Sequence, residues 1–266
     1  MRPRYGVRVD ITDRFADLVR GPESALRVDV GALLVAAHAR RELDVDEELH
    51  RLDDLASGCA TPTVEGVCEH LFGDVGFRGD TDDYKDPRNS LLDVVLDRRR
   101  GIPITLSIVV MEVGRRLGLD LQGVGMPGHF LVRDGDDPDA FIDPFHRVQL
   151  DREGAEKLFT VIHGPEARFQ ERFLDPVGPR AIMARVVTNL QRSYMGRGDR
   201  AGALWAQCLR VVVPGATVGD RRQLAALLAA NGRFDAAAEE LEAIADDGWG
   251  GDRDRIAAAA MRAKLN

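Results

Sequence analysis

Apolar residues crowd most densely in the middle of the chain, where Ile104, Leu106, Ile108, Val109, Val110, Met111 and Val113 leave no polar stripe around a helix. The pattern predicts a helix over 104–117, buried on all sides, that forms the centre of a core. Its ends agree: Pro103 suits a first helical turn, and Gly118 after Arg115, Arg116 and Leu117 suits a last one. The segment is too short to cross a bilayer, which takes roughly 20 apolar residues.

Two shorter apolar runs, 129–133 and 140–143, flank Asp134-Gly135-Asp136-Asp137-Pro138-Asp139, a string of turn formers. They predict a β-hairpin. With Leu131 opposite Phe141, His129 falls opposite Asp143 on the same face, because side chains alternate along a strand. Residues 12–56 read as helices, with a start at Ile11-Thr12-Asp13, an apolar stretch over 30–39, and Leu49, Leu52 and Leu55 recurring every three residues. Val64, Val67, Leu71 and Phe72 continue at helical spacing until Gly73 and Gly76. These helices are expected to form an N-terminal layer on the core. Asn89 and Ser90 precede Leu91, Leu92, Val95 and Leu96, where they serve as a helix N-cap or else line a site.

Beyond residue 174 the pattern changes to a repeat. Gly198-Asp199-Arg200-Ala201-Gly202-Ala203-Leu204 recurs 34 residues later as Gly232-Arg233-Phe234-Asp235-Ala236-Ala237-Ala238, and Leu190 and Tyr194 recur as Leu224 and Leu228. This is the tetratricopeptide period, in which a small residue after a glycine-bearing turn lets paired helices lie close. Two repeats are fewer than a free-standing solenoid needs, so they are expected to dock on the first domain, with 255–264 as a capping helix. Turn formers at Leu174-Asp175-Pro176-Val177-Gly178-Pro179 place the boundary, giving domains 1–174 and 175–266.

Composition narrows the function classes. The chain has 266 residues, 44% hydrophobic and 30% charged, with net charge −8, which fits one good-sized domain and a smaller one. An acidic balance argues against nucleic acid as a partner, since phosphate binding needs a basic face. The one basic cluster, Arg98, Arg99 and Arg100, is expected at a helix end, where cations complement the dipole. Charged sequence after Met1 argues against a signal peptide. Cys59, Cys68 and Cys208, an odd number in unrelated contexts, suggest neither a disulfide framework nor a metal site. A reducing cytoplasm and no membrane association are expected.

The candidate chemistry is a histidine and an aspartate. An aspartate that accepts from one imidazole nitrogen fixes the tautomer and leaves the other nitrogen as a base; the same pair also suits a plain structural histidine. Thr105 and Ser107 are candidate nucleophiles, although hydroxyls in an apolar helix usually bond the carbonyl a turn earlier. Cys59 and Cys68 are expected to be small buried apolar residues. Gly123-Val124-Gly125-Met126-Pro127-Gly128 lacks the spacing of a phosphate loop; it is expected to let backbone pass close to the central helix, with Pro127 and Gly128 lining the site. His129, Asp143, His146 and His163 are candidate metal ligands, but their spacing is not diagnostic, and no metal and no small-molecule cofactor is expected.

The blocks Asp83-Tyr84-Lys85-Asp86-Pro87-Arg88-Asn89-Ser90, Arg98-Arg99-Arg100-Gly101-Ile102-Pro103-Ile104-Thr105-Leu106-Ser107, Gly123 to Phe130 and Ile142-Asp143-Pro144-Phe145 resemble the Sir-B type branch of the papain-like transglutaminase superfamily. There a transglutaminase-like domain precedes tetratricopeptide-like helices. The resemblance implies an α+β fold: a buried central helix on a small antiparallel sheet, N-terminal helices, and a C-terminal all-α tetratricopeptide-like array. It also implies a triad. Gly101 and Leu117-Gly118 match the family's central helix, His129 and Asp143-Pro144 match two triad members, and Pro103 falls where the family's cysteine stands. Proline has no nucleophilic atom. The expectation is a non-catalytic module that binds a protein or peptide segment. The alternative is a residual hydrolase or acyl transferase in which Ser107, Thr105 or a recruited cysteine is activated by His129 and Asp143.

Overall fold

A computed structural model describes residues 9–248 and 251–265. Contacts divide the chain into two units, one of residues 26–182 and one combining the segment up to residue 25 with everything from 183 onward. The sequence boundary near 174 is displaced for a visible reason. Pro176 bridges to Val124 and Val177 N–H donates to Gly123 O at 2.8 Å, so the turn formers are pinned along a sheet edge. The first helix, α1 (Val9–Arg20), buries Ile11, Phe15, Ala16 and Val19 and packs on a C-terminal helix of its own unit. Nothing local in its sequence marks which unit it joins.

The 26–182 unit begins with α2 (Val28–Ala39) and α3 (Val45–Ser57). Asp44 starts α3 by accepting from the N–H groups of Asp46 and Glu47. Helix α4 (Val64–Cys68), capped by Thr63, runs into a π-helical turn over Glu69–Asp74. Two short strands, β1 (Arg78–Gly79) and β2 (Arg100–Gly101), pair in parallel around α5 (Leu92–Arg98). Next comes α6 (Pro103–Arg116), the helix expected at 104–117, and its residues 103–114 are all buried. The run is not purely apolar: Glu112 is buried within it.

A four-stranded antiparallel meander follows: β3 (Leu121–Val124), β4 (Leu131–Asp134), β5 (Phe141–Asp143) and β6 (Val148–Leu150). Strands β4 and β5 are the expected hairpin. The outer strands were not foreseen; β3 carries Gly123, where a Cβ would sit 2.9 Å from the Phe130 ring. Helix α6 packs on β3 and β4, and the approach is close, since a Cβ on Gly114 would lie 2.4 Å from the Leu121 side chain. Helix α7 (Arg152–His163), capped by Asp151, closes the sheet side.

Helix α8 (Pro179–Gly196) leads to α9 (Arg200–Val212), α10 (Val218–Ala230), α11 (Phe234–Asp246) and α12 (Asp252–Arg262). Gly198 and Gly232 both adopt positive φ, +73° and +75°, and Ala203 and Ala237 are both fully buried. Ala258 of α12 packs on Ala225, Ala238, Leu241 and Ile244. No described helix is long and apolar enough to cross a membrane.

Candidate functional site

The site is built by the β4–β5 pairing. The observed register places Val132 opposite Ile142 and Arg133 opposite Phe141, two residues from the expected match of Leu131 with Phe141. A two-residue shift keeps every side chain on its face. His129 therefore stays on the side of Asp143 but sits just ahead of β4, reaching the aspartate diagonally. A tight turn holds it there: His129 N–H donates to Met126 O at 3.1 Å, and Gly128 supplies the turn's φ of +75°.

Asp143 is completely buried. Its Oδ1 accepts from the backbone N–H of Phe145 at 3.0 Å and of His146 at 3.2 Å. Its Oδ2 faces two imidazoles, His129 Nε2 at 3.0 Å and His146 Nδ1 at 2.6 Å. Burial pushes the Asp143 carboxyl up, but the two imidazoles outweigh it and hold the group below the usual carboxylate range. The two rings stack at 5.5 Å with planes 22° apart, and Phe145 meets both edge-on.

His146 is the member whose part the sequence reading discounted. Its signal was the spacing Asp143-Pro144-Phe145-His146, four residues within one turn, closed by Arg147 N–H on Asp143 O at 2.8 Å with Arg147 at φ +60°. Gly79 sets the room for the cluster, because a Cβ there would meet the Phe145 ring at 2.6 Å. Gly79→Ala is expected to displace that ring and cost about 1–3 kcal/mol, an overpacking penalty, read as a lowered urea midpoint; an unchanged midpoint would show the ring is free to move.

The other candidate residues take different places. Pro103 is the first residue of α6 and is buried. The Thr105 hydroxyl accepts from Ile102 N–H and points at the carbonyls of Asn89 (2.8 Å) and Ile102 (3.1 Å). Its role is to fix the start of α6. Ser107 is fully buried, and its hydroxyl has no hydrogen-bond partner among the described residues. Asn89 and Ser90 do not cap α5: Leu91 holds that position without a side-chain cap. Both lie in a 3-10 turn, Pro87–Ser90, capped by Asp86. Asn89 instead donates to Asp83 O and accepts from Arg98.

Arg98 also reaches Asp80 at 3.0 Å and Asp86 at 3.3 Å, so it is a partly buried tie between segments and more than a helix-end charge. Pro127 accepts from His163 Nε2 at 2.9 Å, which fastens the 126–129 turn to α7 and takes His163 away from Asp143.

All three cysteines are free thiols. Cys68 lines a pocket of about 410 Å³ with Phe72, His146, Val148 and Gln149. Burial pushes its thiol up to about 11, and that of Cys208 to about 12, opposite to an activated nucleophile. Iodoacetamide is expected to modify Cys68 slowly at pH 7.5 and faster as pH rises toward 11. Rapid modification at neutral pH would contradict this.

The chain matches the transglutaminase-like superfamily over residues 32–188. It is 40% identical over 156 residues to a UPF0162 protein of Xylella fastidiosa, covering 56% of each chain. It is 36% identical over 173 residues to a UPF0162 protein of Pseudomonas aeruginosa, covering 63% of this chain and 62% of that one. A shorter match, 37% over 92 residues, is to the mouse F-box only protein 21, covering 34% of this chain and 15% of that one. Each match thus spans less than two thirds of the relative's length. No solved structure matches the chain. With its buried helix α6, its antiparallel sheet and a family match over more than half its length, the chain belongs to the transglutaminase-like superfamily.

Proposed function

We propose that this chain is a non-catalytic transglutaminase-like protein of the Sir-B type that binds a protein or peptide segment in the cytoplasm. The observation that carries the reading is the start of α6. Pro103 stands at the position the resemblance gives to the nucleophile, the Thr105 hydroxyl is bound to backbone, and Ser107 is sealed from solvent. A binding role draws support from the pocket between Cys68–Gly73 and His146–Gln149, which runs along β6, the edge strand of the sheet, with Val148 43% exposed. An extended peptide adds to such an edge through main-chain hydrogen bonds, with neighbouring pockets reading its side chains. Helices α8 to α11 are read as tetratricopeptide-like repeats on the strength of the 34-residue recurrence and the paired Gly198 and Gly232 turns.

The His129–Asp143 contact at 3.0 Å favours the second reading, a residual hydrolase or acyl transferase using Ser107, Thr105 or a cysteine. Labelling with fluorophosphonate and thiol-directed electrophiles, on the native chain and on His129→Ala, decides between them. No labelling that depends on His129 is expected. Labelling abolished by His129→Ala would establish an activated nucleophile and overturn the non-catalytic reading. For the binding half, selection from a random-peptide display library is expected to enrich ligands that Val148→Lys no longer captures.

A further inference from the structure

We propose that His129, Asp143 and His146 form a binding site for a divalent transition-metal ion of the zinc class. One ligand atom from each residue lies within 4.8 Å of the others. The donor set, two imidazole nitrogens and one carboxylate oxygen, suits Zn²⁺ and its neighbours in the first transition row and not Mg²⁺ or Ca²⁺, which take oxygen.

The geometry around Asp143 is that of an oriented ligand. Both backbone N–H groups fall on Oδ1, which fixes the carboxylate plane and leaves Oδ2 turned toward the two imidazoles. Such outer contacts steer a metal-binding carboxylate. The near-parallel rings bring His129 Nε2 and His146 Nδ1 to the same oxygen, at 3.0 and 2.6 Å. Donors around a tetrahedral ion at roughly 2.1 Å stand about 3.4 Å apart. The cluster therefore has to open by about 0.5–1 Å, within reach of the His146 side chain, which is 51% exposed.

Binding replaces the N–H···O contacts with metal–nitrogen and metal–oxygen bonds: a neutral ring moves that proton to its other nitrogen, and an imidazolium releases it to solvent. Three protein ligands leave a fourth position for water or a ligand oxygen. His146 also lines the 410 Å³ pocket, which gives the ion a route in. His163 is no part of the set, being engaged with Pro127.

The proposal does not rest on the peptide-binding role, although His146 lines the same pocket, and its test uses no peptide. The full chain, stripped with EDTA, is titrated with ZnCl₂ by calorimetry, and Co²⁺ is added in parallel to read its visible ligand-field bands. About one ion per chain is expected, with affinity at least about tenfold weaker in His146→Gln and in Asp143→Asn. His50→Gln, an exposed histidine on α3, is expected to bind as the native chain does. Circular dichroism checks that each variant folds; if Asp143→Asn does not, the half-exposed His146→Gln decides. No Zn²⁺ binding, or binding that both site variants retain, overturns the proposal and leaves the cluster a hydrogen-bonded brace.

Discussion

Arg116→Ala is expected to lower the unfolding free energy of the 26–182 unit by about 3–5 kcal/mol, the cost of taking one cation from two buried carboxylates that then keep only Arg27 and Arg115. Arg116, only 9% exposed, lies 2.9 Å from Asp29, 3.0 Å from Glu112 and 2.6 Å from Asp53. Asp29 is fully buried and Glu112 nearly so. The residues come from α2, α3 and the end of α6, so the guanidinium joins three helices with a fork that a lysine cannot copy. Arg116→Lys is expected to recover only part of the loss. Urea denaturation checks both variants, and a cost below about 1 kcal/mol for Arg116→Ala would show that water replaces the arginine.

The same cluster gives a pH signature. Burial pushes Glu112 up, and the neighbouring Asp29 charge adds to it. Burial also pushes Asp29 up, but bonds from Arg27 and Arg116 outweigh this and leave it low. A raised folded value contributes stability at low pH that is lost as pH rises through it; a lowered value does the reverse. Stability is therefore expected to rise as pH falls from neutrality through the raised Glu112 value, then to drop below about pH 4, the ordinary carboxylate range, as Asp29 protonates. Glu112→Gln is expected to remove the rise and keep the drop.

The second large effect is expected at Asp143. Asp143→Ala removes the acceptor of two backbone N–H groups and both imidazoles, at about 1.5–3 kcal/mol for each hydrogen bond to a charged group. A total of about 3–5 kcal/mol is expected after partial rehydration at the half-exposed His146. Asp143→Asn keeps a carbonyl oxygen for the backbone pair and loses only the charge facing the rings. It is expected to cost less than half as much. Chemical denaturation of both variants separates the two roles: equal losses would place the whole effect in the charge, and a stable Asp143→Ala would remove Asp143 from the architecture.

Local pattern carried much of this protein. Apolar residues on every side of a helix have only one way to satisfy their surface, so 104–117 could be read as a buried helix. Turn formers between two apolar runs leave few alternatives to a hairpin. Glycine and alanine patterning after residue 174 pointed to helices, and α8 to α11 are helical, with Gly198 and Gly232 in matching turns. The pairing of His129 with Asp143 was also legible, because a strand's alternation survives a two-residue error in register, as it would not survive an error of one.

What local pattern could not supply was any fact that depends on partners far apart in sequence. Nothing near Glu112 in the chain showed that α2 would bring Asp29 beside it. Asn89 and Ser90 looked like a helix cap until Arg98 and Asp83 claimed the Asn89 side chain. His146 looked like a residue past the end of a strand until the turn after β5 folded it back onto Asp143. The start of α1 and the turn formers near 176 carry no local mark of which unit they join. By itself the sequence determined the buried helix, the hairpin and the histidine–aspartate pair, because periodicity and turn chemistry act within a few residues. Only the tertiary structure decided the register, the second histidine, the buried charge network and the division into units, because those depend on which surfaces meet.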